Sequence, residues 1–295
     1  MTADTRSSCG YIGALKPVVI IPNSVALVTG TDRPNGIGHA IVEALLEAGI
    51  SKVYATKRSN YENRPGSNGS PTIDSDKRVV TVYLELTDSR AIEQLPFLYP
   101  DVTMIVNNAG VLCRNSSLQD LDKARLEMEV NYFGPLAIVA AYARLWKNQD
   151  RDQSWSCPTC RAVVNVNSIA SFVSFPAGGT YAASKAAVHS LTQAQRRDLY
   201  LESNETSSSV LVMGVYPGPI DTDMIKDLPF EKNKLSSPKL VAQSIVHALQ
   251  IGQEEVFPDK YSIEMHADWA EDYRGVERDM TESSVHRFDR NHSQL

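Results

Sequence analysis

Of the 12 tyrosines in the chain, one, Tyr181, has a lysine four positions later. Within Tyr181-Ala-Ala-Ser-Lys185 this spacing sets a phenol and an ammonium on one face of a helix, and Ala182, Ala183, Ala186 and Ala187 favour the helix itself. An isolated pair of this kind is more often a surface coincidence, so its company decides. Ser168 stands thirteen residues earlier, just past an apolar run, and Asn107-Asn-Ala-Gly110 stands just past another. Both fall at the C-terminal ends of predicted strands, where open α/β sheets bind ligands.

A second chemical feature lies nearer the start. Thr29-Gly-Thr-Asp-Arg-Pro-Asn-Gly-Ile-Gly38 follows an apolar run and precedes a helical pattern, the context that a dinucleotide-binding turn requires. Gly30, Gly36 and Gly38 permit a tight turn and close approach of backbone to a pyrophosphate, while the helix N-terminus at Ile37 supplies partial positive charge. The next predicted strand ends in Lys57-Arg58, about 20 residues on, where an acid would hold the ribose 2′-hydroxyl of NAD and a cation accommodates the 2′-phosphate of NADP. With Arg33 as a third cation converging on the same phosphate, the pattern predicts NADP(H).

These residues need elements to position them. Val25-Ala-Leu-Val28 is continuously apolar, as expected of a strand buried on both faces. Ile37, Ile41, Val42, Leu45 and Leu46 recur at helical spacing, and Gly49 follows where the helix would end. Val53–Thr56, Val79–Leu84, Met104–Val106, Ala162–Val166 and Val210–Val215 read as further buried strands. Strands alternating with helices predict a Rossmann-like α/β fold: one domain, three layers (α/β/α), a doubly wound parallel sheet. Residues 1–22 read as an N-terminal extension lending one short edge strand, residues 23–266 as the domain, and residues 267–295 as a C-terminal helix near Tyr273–Met280 with a frayed tail. Residues 59–77 and 147–158 read as polar loops, the first of them mobile.

Composition narrows the function. The chain has 295 residues, 42% of them hydrophobic, and a net charge of −6 from 29 Lys+Arg and 35 Asp+Glu. That balance, without a basic run, argues against nucleic-acid or anionic-membrane partners. The run Val18–Ile21, stopped by Pro22, is too short for a signal segment or a membrane span. Cys9, Cys113, Cys157 and Cys160 are too few for a disulfide scaffold, which fits a reducing, cytoplasmic setting. Cys157-Pro-Thr-Cys160 has the spacing of half a zinc site but no second pair, and the six histidines show no ligand spacing, so no metal is expected.

Together and in order, the Thr29–Gly38 turn, Asn107–Gly110, Asn131, Ser168, Tyr181-x-x-x-Lys185 and Pro217-Gly-Pro-Ile-Asp-Thr222 resemble the classical branch of the short-chain dehydrogenase/reductase family, over about residues 25–258. The resemblance implies Tyr181 as general acid/base, Lys185 as its electrostatic helper and ribose anchor, Ser168 as hydrogen-bonder to the substrate oxygen, and Asn131 as holder of a proton-relay water. It places Asn108, Ala109, Gly110, Pro217, Gly218, Ile220 and Thr222 along the cofactor, with Glu85 near the adenine amine and Leu86 contributing backbone. Residues 221–237 read as a substrate lid. Phe172, Phe175, Met224, Ile225, Leu228 and Phe230 are candidates for an apolar substrate pocket. Two departures stand out: five residues, Thr31–Asn35, separate the first glycine from Gly-Ile-Gly where the family usually has three, and Pro34 stiffens that insertion; Asn167 replaces a second serine.

The chemistry is feasible in magnitude. Making a tyrosine a base near pH 7 requires about 4 kcal/mol in favour of the phenolate, and an ammonium about 5 Å away gives roughly 3 kcal/mol at an effective dielectric near 20. The expectation is a homodimeric or homotetrameric NADPH-dependent reductase of a small, mostly apolar ketone or aldehyde. The rivals are a non-redox dehydratase or cyclase on the same scaffold and an NADP-sensing binding protein.

Overall fold

The structure, a computed structural model, describes residues 18–58, 71–114, 120–152, 161–175, 178–203, 210–226, 228 and 232–288. Strands and helices alternate in the order β1 (Val25–Val28), α1 (Ile37–Glu47), β2 (Lys52–Lys57), α2 (Pro71–Asp74), β3 (Val79–Tyr83), α3 (Ser89–Leu98), β4 (Met104–Asn107), α4 (Leu121–Met128), α5 (Gly134–Arg151), β5 (Arg161–Val166), α6 (Gly179–Ser203), β6 (Val210–Val215), α7 (Pro238–Ile251), β7 (Glu255–Val256) and α8 (Lys260–Phe288). The strands form one sheet in the order β3-β2-β1-β4-β5-β6-β7, every pairing parallel.

Side-chain alternation along the central strands feeds two cores. Ala26 and Val28 face Ile41 and Leu45 of α1 and Val241 and Ile245 of α7, whereas Leu27 faces Ile138, Tyr142 and Trp146 of α5. Both faces are therefore covered, which is why the strands read as unbroken apolar runs. Gly49, at φ 85°, closes α1 in the left-handed conformation that glycine adopts without a Cβ penalty.

Three expectations are corrected, and one strand enters that no apolar run marks. Residues 18–20 form no edge strand: Val19 is buried and its amide donates to Leu249 O at 3.1 Å, so this segment covers the end of α7. Helix α5 runs on to Arg151 because Asp150 is held by Arg161 at 2.7 Å, and the guanidinium lies 5.5 Å over the Trp146 ring. Strand β7 is only two residues long, too short to carry a periodic signal. The C-terminal helix begins at Lys260 and kinks at Asp272; its first turns are recruited by an aromatic cluster in which His266 and Trp269 meet Phe172 at 4.8 and 5.2 Å and His266 stacks on Phe257 at 4.2 Å. Of the polar loop expected at 59–77, residues 59–70 lie outside the described residues, as do Cys9, Cys157 and Cys160. Among the described residues no helix is long and apolar enough to cross a membrane.

The Asp150–Arg161 pair is almost wholly buried, with side-chain exposures of 7% and 1%. Removing one partner leaves an uncompensated charge in the core. Asp150→Ala is expected to lower stability by about 3 kcal/mol in urea denaturation, and the double change Asp150→Leu with Arg161→Met to recover most of that loss.

Candidate active site

Strand order reverses between β1 and β4, opening the crevice in which such sheets take their ligands. The Thr29 hydroxyl accepts from the amides of Asn108 and Ala109 at 2.9 and 3.0 Å and donates to Val106 O at 3.3 Å. The Asn108 side chain answers by donating to Thr29 O at 2.8 Å and Gly30 O at 3.1 Å. The turns after β1 and β4 are thus locked together. Gly30 has φ 72°, and a methyl there would lie 2.8 Å from Ala109 Cα; one on Gly38 would collide with the Gly30 carbonyl and the Asn108 amide. Only glycine leaves this backbone-walled cradle at the start of α1, and its shape and helix dipole fit a pyrophosphate. The lengthened turn is anchored by Thr31, whose amide and hydroxyl both donate to Thr56 O at 3.0 and 3.1 Å.

The titratable cluster sits across the crevice. Ser168 follows β5, and its hydroxyl accepts from Ala170 N at 3.1 Å, capping a 3-10 turn over Ile169–Ser171. Tyr181 lies in the first turn of α6, buried, within hydrogen-bonding reach of Ser168. One turn later Lys185 is also buried; its Nζ lies 5.8 Å from the Tyr181 ring centroid and donates to Val166 O at 3.0 Å. Asn131 occupies a π turn, Glu129–Phe133, between α4 and α5, a distortion that often marks functional sites. Its side chain accepts from Val111 N at 2.8 Å and donates to Val111 O at 3.0 Å and Ser184 Oγ at 2.9 Å. It therefore holds the segment after Gly110 onto α6.

Burial dominates the electrostatics. It pushes the Tyr181 phenol up to about 12, against a downward pull from the Ser168 hydrogen bond and with a further upward push from Glu127. It brings the Lys185 ammonium down to about 8. The phenol accordingly keeps its proton at neutral pH, the reverse of the direction expected from Lys185 alone.

A family model for short chain dehydrogenases matches residues 24–233. The chain belongs to the short-chain dehydrogenase/reductase family. An uncharacterized oxidoreductase of Staphylococcus saprophyticus is 28% identical over 239 residues, covering 79% of this chain and 94% of the relative. Among solved structures, a short chain dehydrogenase from Burkholderia cenocepacia in complex with NADP is 30% identical, with a TM-score of 0.71 over 87% of this chain and 97% of that one. A Burkholderia phymatum member of the family in complex with NAD, 18% identical with a TM-score of 0.67 over 86% of this chain and 95% of that one, shares the fold.

In this short-chain dehydrogenase two of the three cations expected around one phosphate, Lys57 and Arg58, are held by carboxylates. Lys57 Nζ lies 2.7 Å from Asp74, and Arg58 reaches Asp32, in the lengthened turn, at 3.1 Å. Arg33 lies in the same turn, its carbonyl accepting from Gly36 N at 2.9 Å. Glu85 and Leu86 follow β3, with Leu86 packed where Gly134 leaves room. Beyond β6, Pro217 O accepts from Ile169 N at 2.9 Å, Gly218 N donates to Asp259 at 2.8 Å, and Ile220 bridges Ser236, which ties the start of the segment expected to form a lid to its end. Thr222 accepts from Ile225 N at 3.2 Å.

The expected pocket residues divide. Phe175 packs edge-on to Tyr181 at 6.1 Å, and Met224, Ile225 and Leu228 lie beyond Thr222, where Arg114 reaches Met224 O at 3.1 Å. Phe172 points into the aromatic cluster beneath α8 instead, because Tyr216, His189 and Trp269 all lie about its ring. Phe230 lies outside the described residues. Sequence reasoning passes over Leu112, which packs against the cluster of Ala170, Tyr181 and Ala182, and over Glu127. In α4, Leu121 and Leu126 are exposed while Glu127 is buried, an inversion that apolar periodicity cannot reveal.

Burying Lys185 has a thermodynamic signature. Its folded value of about 8 lies below the ordinary 10.5, so between those pH values the unfolded chain binds a proton that the folded chain does not, and stability rises with pH. Lys185→Met is expected to stabilise the fold at pH 7 by about 3 kcal/mol. That gain should fade to near zero as pH climbs through the same window, as denaturant titration at each pH would record.

Proposed function

We propose that the protein is an NADPH-dependent carbonyl reductase acting on a small, mostly apolar ketone or aldehyde. The observation that carries the reading is the buried Tyr181 phenol, paired with Ser168, beside the Lys185 ammonium. The Gly30–Gly38 cradle, Asn108–Gly110 and Pro217–Thr222 would hold the dinucleotide, which would supply the hydride for the carbonyl carbon. Tyr181 gives its proton to the oxygen, so that hydride and proton together make the alcohol. Ser168 donates a hydrogen bond to that oxygen as charge builds, and Lys185 stabilises the phenolate left behind. Asn131 keeps Val111 against Ser184, and so holds the wall of the site beside Tyr181. A phenol protonated at neutral pH suits proton donation, hence the reductive direction.

NADP(H) preference is supported by two cations and no acid at the end of β2, and by the NADP in the Burkholderia cenocepacia relative. The Asp32 and Asp74 carboxylates temper it, since an arriving 2′-phosphate must share Arg58 and Lys57 with them. Self-association as a dimer or tetramer in the cytoplasm is part of the same reading, supported by the exposed apolar side chains of Leu121, Leu126 and Phe133 on α4 and the π turn.

Purified protein is expected to oxidise NADPH with members of a panel of ketones, aldehydes and quinones, and Tyr181→Phe to slow this by about 10²–10⁴-fold. A wild type that binds NADPH tightly yet reduces nothing, or undiminished turnover by the variant, would overturn the reading. NADPH should bind more tightly than NADH. Lys57→Ala with Arg58→Ala should erase that preference, while Asp32→Asn should strengthen it about five-fold, the worth of one partly exposed ion pair; isothermal titration with both dinucleotides measures each.

A further inference from the structure

The polar stripe of α6 does not stop at Lys185. Tyr181, Lys185 and His189 stand at four-residue intervals on one face of the helix. The His189 ring is held at both nitrogens: Nε2 lies 3.2 Å from the Gln193 amide nitrogen and Nδ1 lies 2.8 Å from the Tyr216 hydroxyl. An amide nitrogen only donates, and burial draws the proton affinity of the ring down. Nε2 therefore accepts, and Nδ1–H donates to the Tyr216 oxygen. Strand β6 is shaped for this contact. Tyr216 is fully buried, and its hydroxyl folds back over Gly214, where a methyl group would collide with it. Seating the neighbouring rings requires no hydroxyl–imidazole pair, and taking one out of water is costly. What the pair adds is direction.

That pair stands between the two shoulders of the Ser168 turn. On one side, Asn167 continues the β5–β6 pairing one step past Val166 and Val215, its amide donating to Val215 O at 2.7 Å. By strand alternation its side chain shares a face with Asn165, which bonds to Thr192 and Gln195 of α6. The Asn167 side chain lies within reach of the Tyr216 hydroxyl, and its two buried polar atoms have no other partner among the described residues. On the other side, Phe172 closes the Ile169–Ser171 turn, with its ring 4.9 Å from His189 and 5.2 Å from Tyr216. The remaining fastenings of the turn run to the same neighbourhood: Ile169 N donates to Pro217 O beyond β6, and the Ser171 hydroxyl to Lys185 O of α6 at 3.1 Å.

We propose that His189 is a positioning residue for Ser168: through Tyr216 and Phe172 it fixes the Ser168 turn to the helix that carries Tyr181, so that hydroxyls from two elements meet one substrate oxygen. The inference rests on the reading of Ser168 and Tyr181 as the groups that act on that oxygen. It also gives Asn167 a task, as acceptor for the Tyr216 hydroxyl hydrogen.

His189→Phe keeps a ring against Phe172 and removes both hydrogen bonds. In this variant kcat for carbonyl reduction should fall about ten-fold, with NADPH affinity by isothermal titration unchanged. In a Ser168→Ala background the same change should alter kcat by less than about two-fold, because the group it positions is gone. Effects that multiply instead overturn the proposal, since a general disturbance of the site would act on Tyr181 as well. A second readout needs no turnover. Nitrogen relaxation of the backbone amides of Ala170, Ser171 and Phe172 should show order parameters falling from about 0.85 toward about 0.6, with those of β5 unmoved. It decides the proposal even if the wild type reduces no carbonyl and the catalytic reading falls. If His189→Phe does not fold, Tyr216→Phe, which deletes one hydroxyl, carries both measurements. A turn as rigid in the variant as in the wild type overturns the proposal.

Discussion

Taking Lys185 out of water is the constraint around which the site is arranged. Its ammonium has the Val166 carbonyl as a hydrogen-bond acceptor, and burial draws its affinity for a proton down. A cation kept in such a place is worth having only if an anion appears beside it during the reaction. In the proposed reaction the Tyr181 phenol, one helical turn away, provides that anion when it gives up its proton. Everything nearby serves to keep the two side chains in this relation: the Tyr181–Ser184–Asn131 chain of hydrogen bonds, the π turn that aims Asn131 inward, and the Ser171 hydroxyl on the Lys185 carbonyl.

The dinucleotide cradle is built on the opposite logic, from backbone rather than charge. Thr29 and Asn108 cross-link the two turns at the switch in strand order, and Gly30 and Gly38 let those turns touch. Below them a buried amide network continues, with Asn107 donating to Asn165 at 2.9 Å and Asn165 donating to Thr192 and Gln195 at 2.9 Å each. This network ties β4 and β5 to α6, so the cradle and the titratable cluster share one rigid foundation.

Much of this was legible in the amino-acid sequence, for identifiable reasons. Strands buried on both faces leave apolar runs, so the strands from Val25 through Val215 are found within a residue or two of their ends. Tyr181, Lys185, Ser168 and the glycine turn stand out because their chemistry demands particular types at particular intervals. What stayed hidden depends on contacts between distant segments. Lys57 and Arg58 look like unencumbered cations until Asp74 and Asp32 fold against them. Phe172 looks like a pocket residue until α8 arrives to cover it. Glu127 breaks the apolar pattern of its helix, and its burial is decided by the loop after β4.

The aromatic cluster under α8 has a consequence for how the molecule opens. Phe172 follows the Ser168 turn, Tyr216 follows β6, Phe257 follows β7, and His266 and Trp269 come from the final helix. These rings join the exits of three strands to the last helix. Undocking α8 would strip Phe172 of its neighbours and free the turn that aims the Ser168 hydroxyl. The last helix and the Ser168 turn thus belong to a single packed unit, in which amide hydrogens along both are expected to exchange together rather than independently.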